Sequence, residues 1–174
     1  MINMLRTFLR RDDGVASVEF VLMFPLIMGI FLCSAEMGVI QMRQAMLERA
    51  MDVVVRDLRL GKPEYRDPDN LKAAVCDEAL LLTDCETNMK LEMGPVPTRG
   101  FTYRTGSADC VNREQTSKPV VNYTSGANNE VMLIRFCYLH DPIFPAIGLG
   151  AILPPVTNGG YKMMASTFFV NEPT

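Results

Sequence analysis

The chain is 174 residues long, room for one domain of ordinary size around one hydrophobic core. Hydrophobic residues make up 48% and charged residues 21%, close to the globular average, which excludes wholesale disorder. The formal net charge of -3 lacks the basic excess of a nucleic-acid-binding domain, and a single histidine, His140, excludes chemistry that needs a histidine pair.

The first organised element is apolar. Phe20 to Ala35 is sixteen residues without a charge, and Val18 and Met37-Gly38-Val39-Ile40 extend it past Glu19 and Glu36. At about 1.5 Å per residue, a helix over 15–40 spans a hydrocarbon core of roughly 30 Å. Arg6, Arg10 and Arg11 precede it, so the positive-inside rule keeps the short start in the cytoplasm and the bulk of the chain on the far side. Three readings of such a start compete. Cys33-Ser34-Ala35 loosely fits a signal-peptidase site, but bulky Phe31 and Leu32 precede it, and Leu32 stands where a lipoprotein signal needs a small residue. A plain uncleaved anchor is the second reading. The third turns on Glu19, just inside the apolar segment: a carboxylate costs about 2.5 kcal/mol or more at bilayer depth and less near the interface, so such a residue usually has a partner or a purpose. Gly14, five residues before it, ends the polar stretch Arg10-Arg11-Asp12-Asp13-Gly14.

A glycine, a glutamate five residues on and then an apolar run is the pattern of a class III, prepilin-type signal. Gly14-Val15-Ala16-Ser17-Val18-Glu19-Phe20 followed by Pro25-Leu26 resembles the TadE/TadF-like minor pilins of tight-adherence (Tad, Flp) pili. The resemblance implies that a membrane-embedded aspartyl prepilin peptidase cuts after Gly14, and that Val15 becomes the mature amino terminus. It also implies that Glu19 offsets an amino-terminal charge within a low-dielectric bundle, with Phe20 as its hydrophobic companion. The implied partners are the inner membrane, the prepilin peptidase, other pilin subunits and the Tad assembly platform. The implied work is subunit packing in pilus biogenesis and adhesion, with no cofactor, no metal and no small-molecule substrate. The chain then divides into a cytoplasmic leader (1–14), a transmembrane helix (15–40) and an extracytoplasmic pilin-like domain (41–174). A secretion-system pseudopilin and a tethered envelope enzyme or binding protein are the alternatives. The enzyme needs a catalytic cluster in the outer domain.

Beyond Ile40, Ala50, Val53, Val54 and Leu58 recur at helical spacing, and Gly61 with Pro63 ends the pattern. One helix from about Val15 to Leu60 follows, kinked at Pro25, which has no backbone donor. Glu36 is either a second inter-subunit contact or, the favoured reading, an interfacial carboxylate reaching headgroups or water. Lys62 to Asn70 reads as a turn, and Pro68-Asp69-Asn70 leads a short helix over Leu71 to Leu82. Strands are expected at 88–93, more weakly at 100–104, most clearly at 131–139, and finally at Tyr161 to Val170. Residues 106–129 read as a long polar loop. The sum is an α+β fold: a long amino-terminal helix packed on a small antiparallel sheet. The resemblance runs strongly over 10–60 and loosely over 131–174, in Tyr138, Pro142, Pro145 and the ending Phe169-Val170-Asn171-Glu172-Pro173.

Pro142 to Pro155 is apolar, yet its four prolines and two glycines argue against a regular helix or a central strand. Ile143, Phe144, Ile147, Leu149, Ile152 and Leu153 make it either a loop that docks on a partner or membrane surface, or one folded over its own core. Cys33 lies in the apolar helix. The remaining four, Cys76, Cys85, Cys110 and Cys137, are an even count in an oxidising compartment and read as disulfides. Of three possible pairings, short closure of the first loop favours Cys76–Cys85 with Cys110–Cys137. His140-Asp141 has the spelling of a dyad but reads as a surface turn before Pro142. Asp67, Asp69, Asp77 and Glu78 lack calcium-loop spacing and read as solvated charges. Asn122-Tyr123-Thr124 matches a glycosylation sequon by spelling alone.

Overall fold

The computed structural model describes residues 15–97, 108–113, 122–145, 148–152 and 160–172. Its spine is helix α1, Val15–Arg59, forty-five residues that run on through Pro25 without interruption. The carboxyl end closes as a Schellman motif. Gly61 takes φ +76°, its N–H bonds to Leu58 O at 3.0 Å, and that of Lys62 bonds to Asp57 O at 3.5 Å. Only glycine enters that left-handed region without a Cβ penalty, which is why the helix stops here.

A 3-10 turn, Pro63–Arg66, leads to α2, Pro68–Glu78. This helix starts and ends earlier than the expected 71–82. Asp67 accepts a hydrogen bond from Asp69 N, and Pro68 takes the first helical position, so the cap lies upstream of the apolar pattern that defines the buried face. The single-turn α3, Cys85–Asn88, feeds β1, Met89–Pro95. Then come β2, Val131–His140, the short α4, Leu149–Ile152, and β3, Tyr161–Val170. The sheet order is β1-β2-β3, antiparallel throughout. The expected strand at 100–104 lies outside the described residues. Part of the expected polar loop is structured: Met93 N–H bonds to Asn122 O at 2.9 Å and Thr124 N–H to Met93 O at 3.1 Å, which pairs the segment with the free edge of β1.

Strand register sorts the two faces of the sheet. Leu91, Phe136 and Ala165 lie opposite one another, as do Met89, Tyr138 and Met163, and all are buried. Against this face pack Leu47, Ala50, Met51 and Val54 of α1 and Leu71 and Val75 of α2. The other face is polar where β1 and β2 carry Glu92 opposite Arg135, bonded at 2.7 Å, yet Cys137 and Leu139 are buried there too. The segment 108–113 lies over that end. Cys110 is bonded to Cys137, Lys90 Nζ reaches Asp109 Oδ2 at 2.6 Å, and Arg113 donates to Asn88 Oδ1 at 2.9 Å and Asp141 Oδ1 at 2.6 Å. This covering explains why β2 is buried continuously from Phe136 to His140 rather than at alternate residues. The second disulfide joins Cys76 of α2 to Cys85 of α3, and both bridges are the pairing favoured by loop closure.

Candidate membrane and assembly face

The amino-terminal half of α1 stands clear of the domain. Val18, Phe20, Val21, Leu22, Phe24, Leu26, Ile27, Ile30 and Phe31 are all exposed, and the helix is long and apolar enough to cross a membrane. Water does not tolerate so continuous an apolar surface, so this half needs lipid or other apolar helices around it. Glu19 and Phe20 both sit on it, and the Phe20 ring lies 5.1 Å from that of Phe24, one turn on. Gly14 lies outside the described residues, and Val15 is the first residue of α1. Pro25 is exposed within the same half.

At Glu36 the character of the helix changes. A stripe begins there and continues through Ile40, Arg43, Leu47, Ala50 and Val54, each three or four residues from the last, facing the domain. Glu36 is only 1% exposed. This corrects the expectation of a carboxylate in headgroups or water. Its Oε1 accepts hydrogen bonds from the backbone N–H groups of Ile143 at 3.1 Å and Phe144 at 3.5 Å. The apolar segment after β2 therefore folds back onto the helix. A Cβ placed on Gly148, where φ is +69°, would lie 3.3 Å from Cys33 Sγ and 3.8 Å from Glu36 Oε2, so the backbone passes close against α1 at this point. Ile143 is exposed, Phe144 and Leu149 are half-buried, and Ile152 ends α4. Ile147 and Leu153 lie outside the described residues.

His140 is a second correction. It is the last residue of β2 rather than a surface turn, and it is 1% exposed. Arg43 Nη1 lies against its ring, in contact with Nδ1 and 3.2 Å from Nε2. A guanidinium only donates, so the imidazole accepts. Burial, and then the Arg43 charge, hold the His140 pKa below the ordinary histidine value despite the opposing pull of Asp141 and Glu36. The ring is neutral at pH 7 and serves as a buried acceptor. Burial and the Glu36 charge push the Tyr161 hydroxyl up, and Gln44 Nε2 donates to Met164 O at 2.9 Å, tying α1 to the outer edge of β3. Glu36, Arg43 and Gln44 thus fasten three successive levels of the domain to one helix. Sequence reasoning missed this. The signal was available in the spacing of Glu36, Arg43 and Leu47, which puts them on one face.

Asp67 serves as a helix cap, and no group of acidic, histidine or cysteine residues able to hold a metal occurs among the described residues. The sequon spelling falls on a packed element: Tyr123 Oη donates to Tyr65 O, and burial followed by the Asp67 charge pushes its pKa up to about 12.

Residues 14–56 match the family model of TadE-like proteins. The chain carries a TadE-like domain at its amino-terminal helix. The match begins at the glycine of the expected cleavage site and covers both the exposed half of α1 and nearly all of the half that packs on the sheet. It spans about a quarter of the chain. No curated protein and no solved structure matches.

Proposed function

We propose that the protein is a minor pilin of a Tad pilus, anchored in the bacterial inner membrane by α1 with residues 41–174 on the periplasmic side. Prepilin peptidase removes residues 1–14 by cutting after Gly14. The mature helix, beginning at Val15, then leaves the bilayer laterally and packs against other pilin subunits at the assembly platform. Glu19 favours one helix register by offsetting an amino-terminal charge, and Phe20 packs beside it. The protein acts by packing, in pilus biogenesis and adhesion, rather than by catalysis. One observation carries this reading: the TadE-like match coincides with a helix whose first half is apolar and exposed.

Intact mass and amino-terminal sequencing of the protein made with and without a prepilin peptidase test it. Peptidase-dependent appearance of a chain starting at Val15 is the expected result. A start at Met1 in both samples would leave a fixed anchor and remove the pilin reading. Glu19→Ala is expected to leave cleavage largely intact and to impair piliation, and normal piliation in that variant would refute the register role of Glu19.

A further inference from the structure

The segment that folds back onto α1 arrives at a particular depth. Counting about 1.5 Å per residue from Val15, Cys33 lies about 27 Å and Glu36 about 32 Å along the helix. The hydrocarbon core of a bilayer is roughly 30 Å thick. The close approach of Gly148 to Cys33 and the hydrogen bonds of Ile143 and Phe144 to Glu36 therefore fall at the outer boundary of a bilayer crossed by α1 from Val15.

The chemistry of the segment suits that boundary. From Pro142 to Gly160 the sequence holds no charged residue. Asp141, the charge just before it, is neutralised by Arg113 at 2.6 Å. Ile143 is 45% exposed, an apolar side chain facing outward at the level where α1 still exposes Met37. The backbone is the harder problem, because an irregular segment near hydrocarbon needs every N–H satisfied. Here Pro142 and Pro145 have no N–H, and the two donors between them, Ile143 and Phe144, both reach Glu36 Oε1. Four consecutive residues thus offer no free donor. Conversely, the segment covers a carboxylate that is expensive to leave bare at this depth.

We propose that the strap formed by residues 142–145 and 148–152 beds into the outer leaflet of the same bilayer, at the boundary of headgroups and acyl chains. The domain then rests on lipid, with Glu36 as the residue that positions the strap. The proposal rests on the membrane-anchored reading above.

The chain has no tryptophan, so a single introduced indole reports its own surroundings. The full-length protein is reconstituted into phosphatidylcholine–phosphatidylglycerol vesicles whose acyl chains are brominated either near the headgroup or near the methyl end. Three variants are compared. Ile143→Trp sits in the strap, and Phe31→Trp sits on the exposed half of α1. Phe168→Trp sits on β3, seven residues and about 23 Å from the membrane-proximal Tyr161. Ile143 is replaced at an exposed side chain, and its bond to Glu36 runs through the main chain, so the fold is retained. Leu149→Trp repeats the measurement from the other side of the strap. Ile143→Trp is expected to lose most of its emission to bromine near the headgroup and little to bromine near the methyl end, with Phe168→Trp unaffected by either. Emission from Ile143→Trp and Leu149→Trp that bromine leaves untouched, while Phe31→Trp is quenched, would overturn the proposal. A blue-shifted but unquenched Ile143→Trp overturns it as well, because protein rather than lipid then covers the strap. If Phe31→Trp is itself unquenched, the anchored reading fails and the strap proposal fails with it.

Discussion

The two halves of α1 are one continuous helix written for two surroundings. Before Glu36 its apolar residues point in every direction, and most remain exposed, Met28, Leu32 and Cys33 being half-buried. After Glu36 they narrow to a stripe, of which Leu47 is 0% exposed, while Gln41, Met42, Glu48 and Arg49 face outward. An all-round apolar helix belongs in lipid or in a bundle of like helices, and a striped one belongs on the surface of a soluble domain. The comparison teaches that one unbroken helix can pass from an exposed apolar half to a domain-packing half without a hinge. The change of periodicity at one residue divides the labour, and β3 follows the outer half from the level of Glu36 to the Arg59–Glu172 ion pair at 3.0 Å.

Paired truncations test that division most strongly. Leu47→Ala opens a cavity beneath the sheet and is expected to destabilise the outer domain by about 3 kcal/mol, seen as a lower midpoint in urea. Ile27→Ala removes a comparable side chain from the exposed half and should leave that midpoint unmoved. Equal shifts from the two variants would mean that the halves are not independent. Ile27→Arg carries the test to the membrane: a charge at mid-helix costs about 2.5 to 3.5 kcal/mol of insertion, so fractionation should show loss from the membrane pellet.

The disulfides come next. Cys110–Cys137 closes a separation of 27 residues, so the chain-entropy model assigns it about 3.5 kcal/mol. Cys76–Cys85, closing 9, receives about 2.6 kcal/mol. Replacing each pair by alanine and comparing denaturation midpoints checks the order, and both effects should be confined to the outer domain. Glu36→Ala, at the boundary itself, strips the acceptor from two backbone donors and should cost about 1 to 3 kcal/mol. Glu36→Gln keeps a carbonyl oxygen in place and should recover much of it. Limited proteolysis near Phe144 reads the release of the strap directly.

Much of this fold was legible because its cues are local. Gly61 marks the helix end by its left-handed conformation, and Tyr161 to Val170 alternates as an edge strand over a core should. The four outer cysteines paired as short loop closure favours. What escaped the sequence depends on contacts across large separations. Glu36 and Ile143 lie 107 residues apart, and Arg43 and His140 lie 97 apart, so no local pattern announces either pair. Taken alone, a glutamate near the end of an apolar helix looks interfacial, and a histidine before Asp-Pro looks like a turn. Glu36 became buried because the uncharged segment after β2 folds back onto α1, and His140 because the end of β2 lies against Arg43 of α1 and beside Tyr161 of β3. The Asp67 cap was missed for a different reason: the apolar pattern marks the buried face of a helix, whereas the cap lies one turn upstream of it.

The gentlest probe of the boundary is pH. His140 is held neutral by burial and by Arg43, so its pKa in the folded protein lies below the ordinary value of 6.5. The unfolded chain therefore binds a proton that the folded chain refuses, and stability falls as pH drops below about 6.5, levelling off only beneath the lowered native pKa. The slope from this one group is at most about 1.4 kcal/mol per pH unit. Urea midpoints taken between pH 7.5 and pH 5 should decline for the wild-type domain. In His140→Gln, which retains an acceptor for Arg43 and cannot titrate, that decline should flatten. Asp109 bounds the other side of the window. Its hydrogen bond to Lys90 lowers its pKa below 3.8, so it contributes stability above that value and loses it only as pH falls further. A decline between pH 6.5 and 5 that persists in His140→Gln would therefore place the titrating group elsewhere than at the junction of strand and helix. A decline that disappears would tie the acid sensitivity of the domain to the point where α1 leaves its apolar surroundings and begins to carry the sheet.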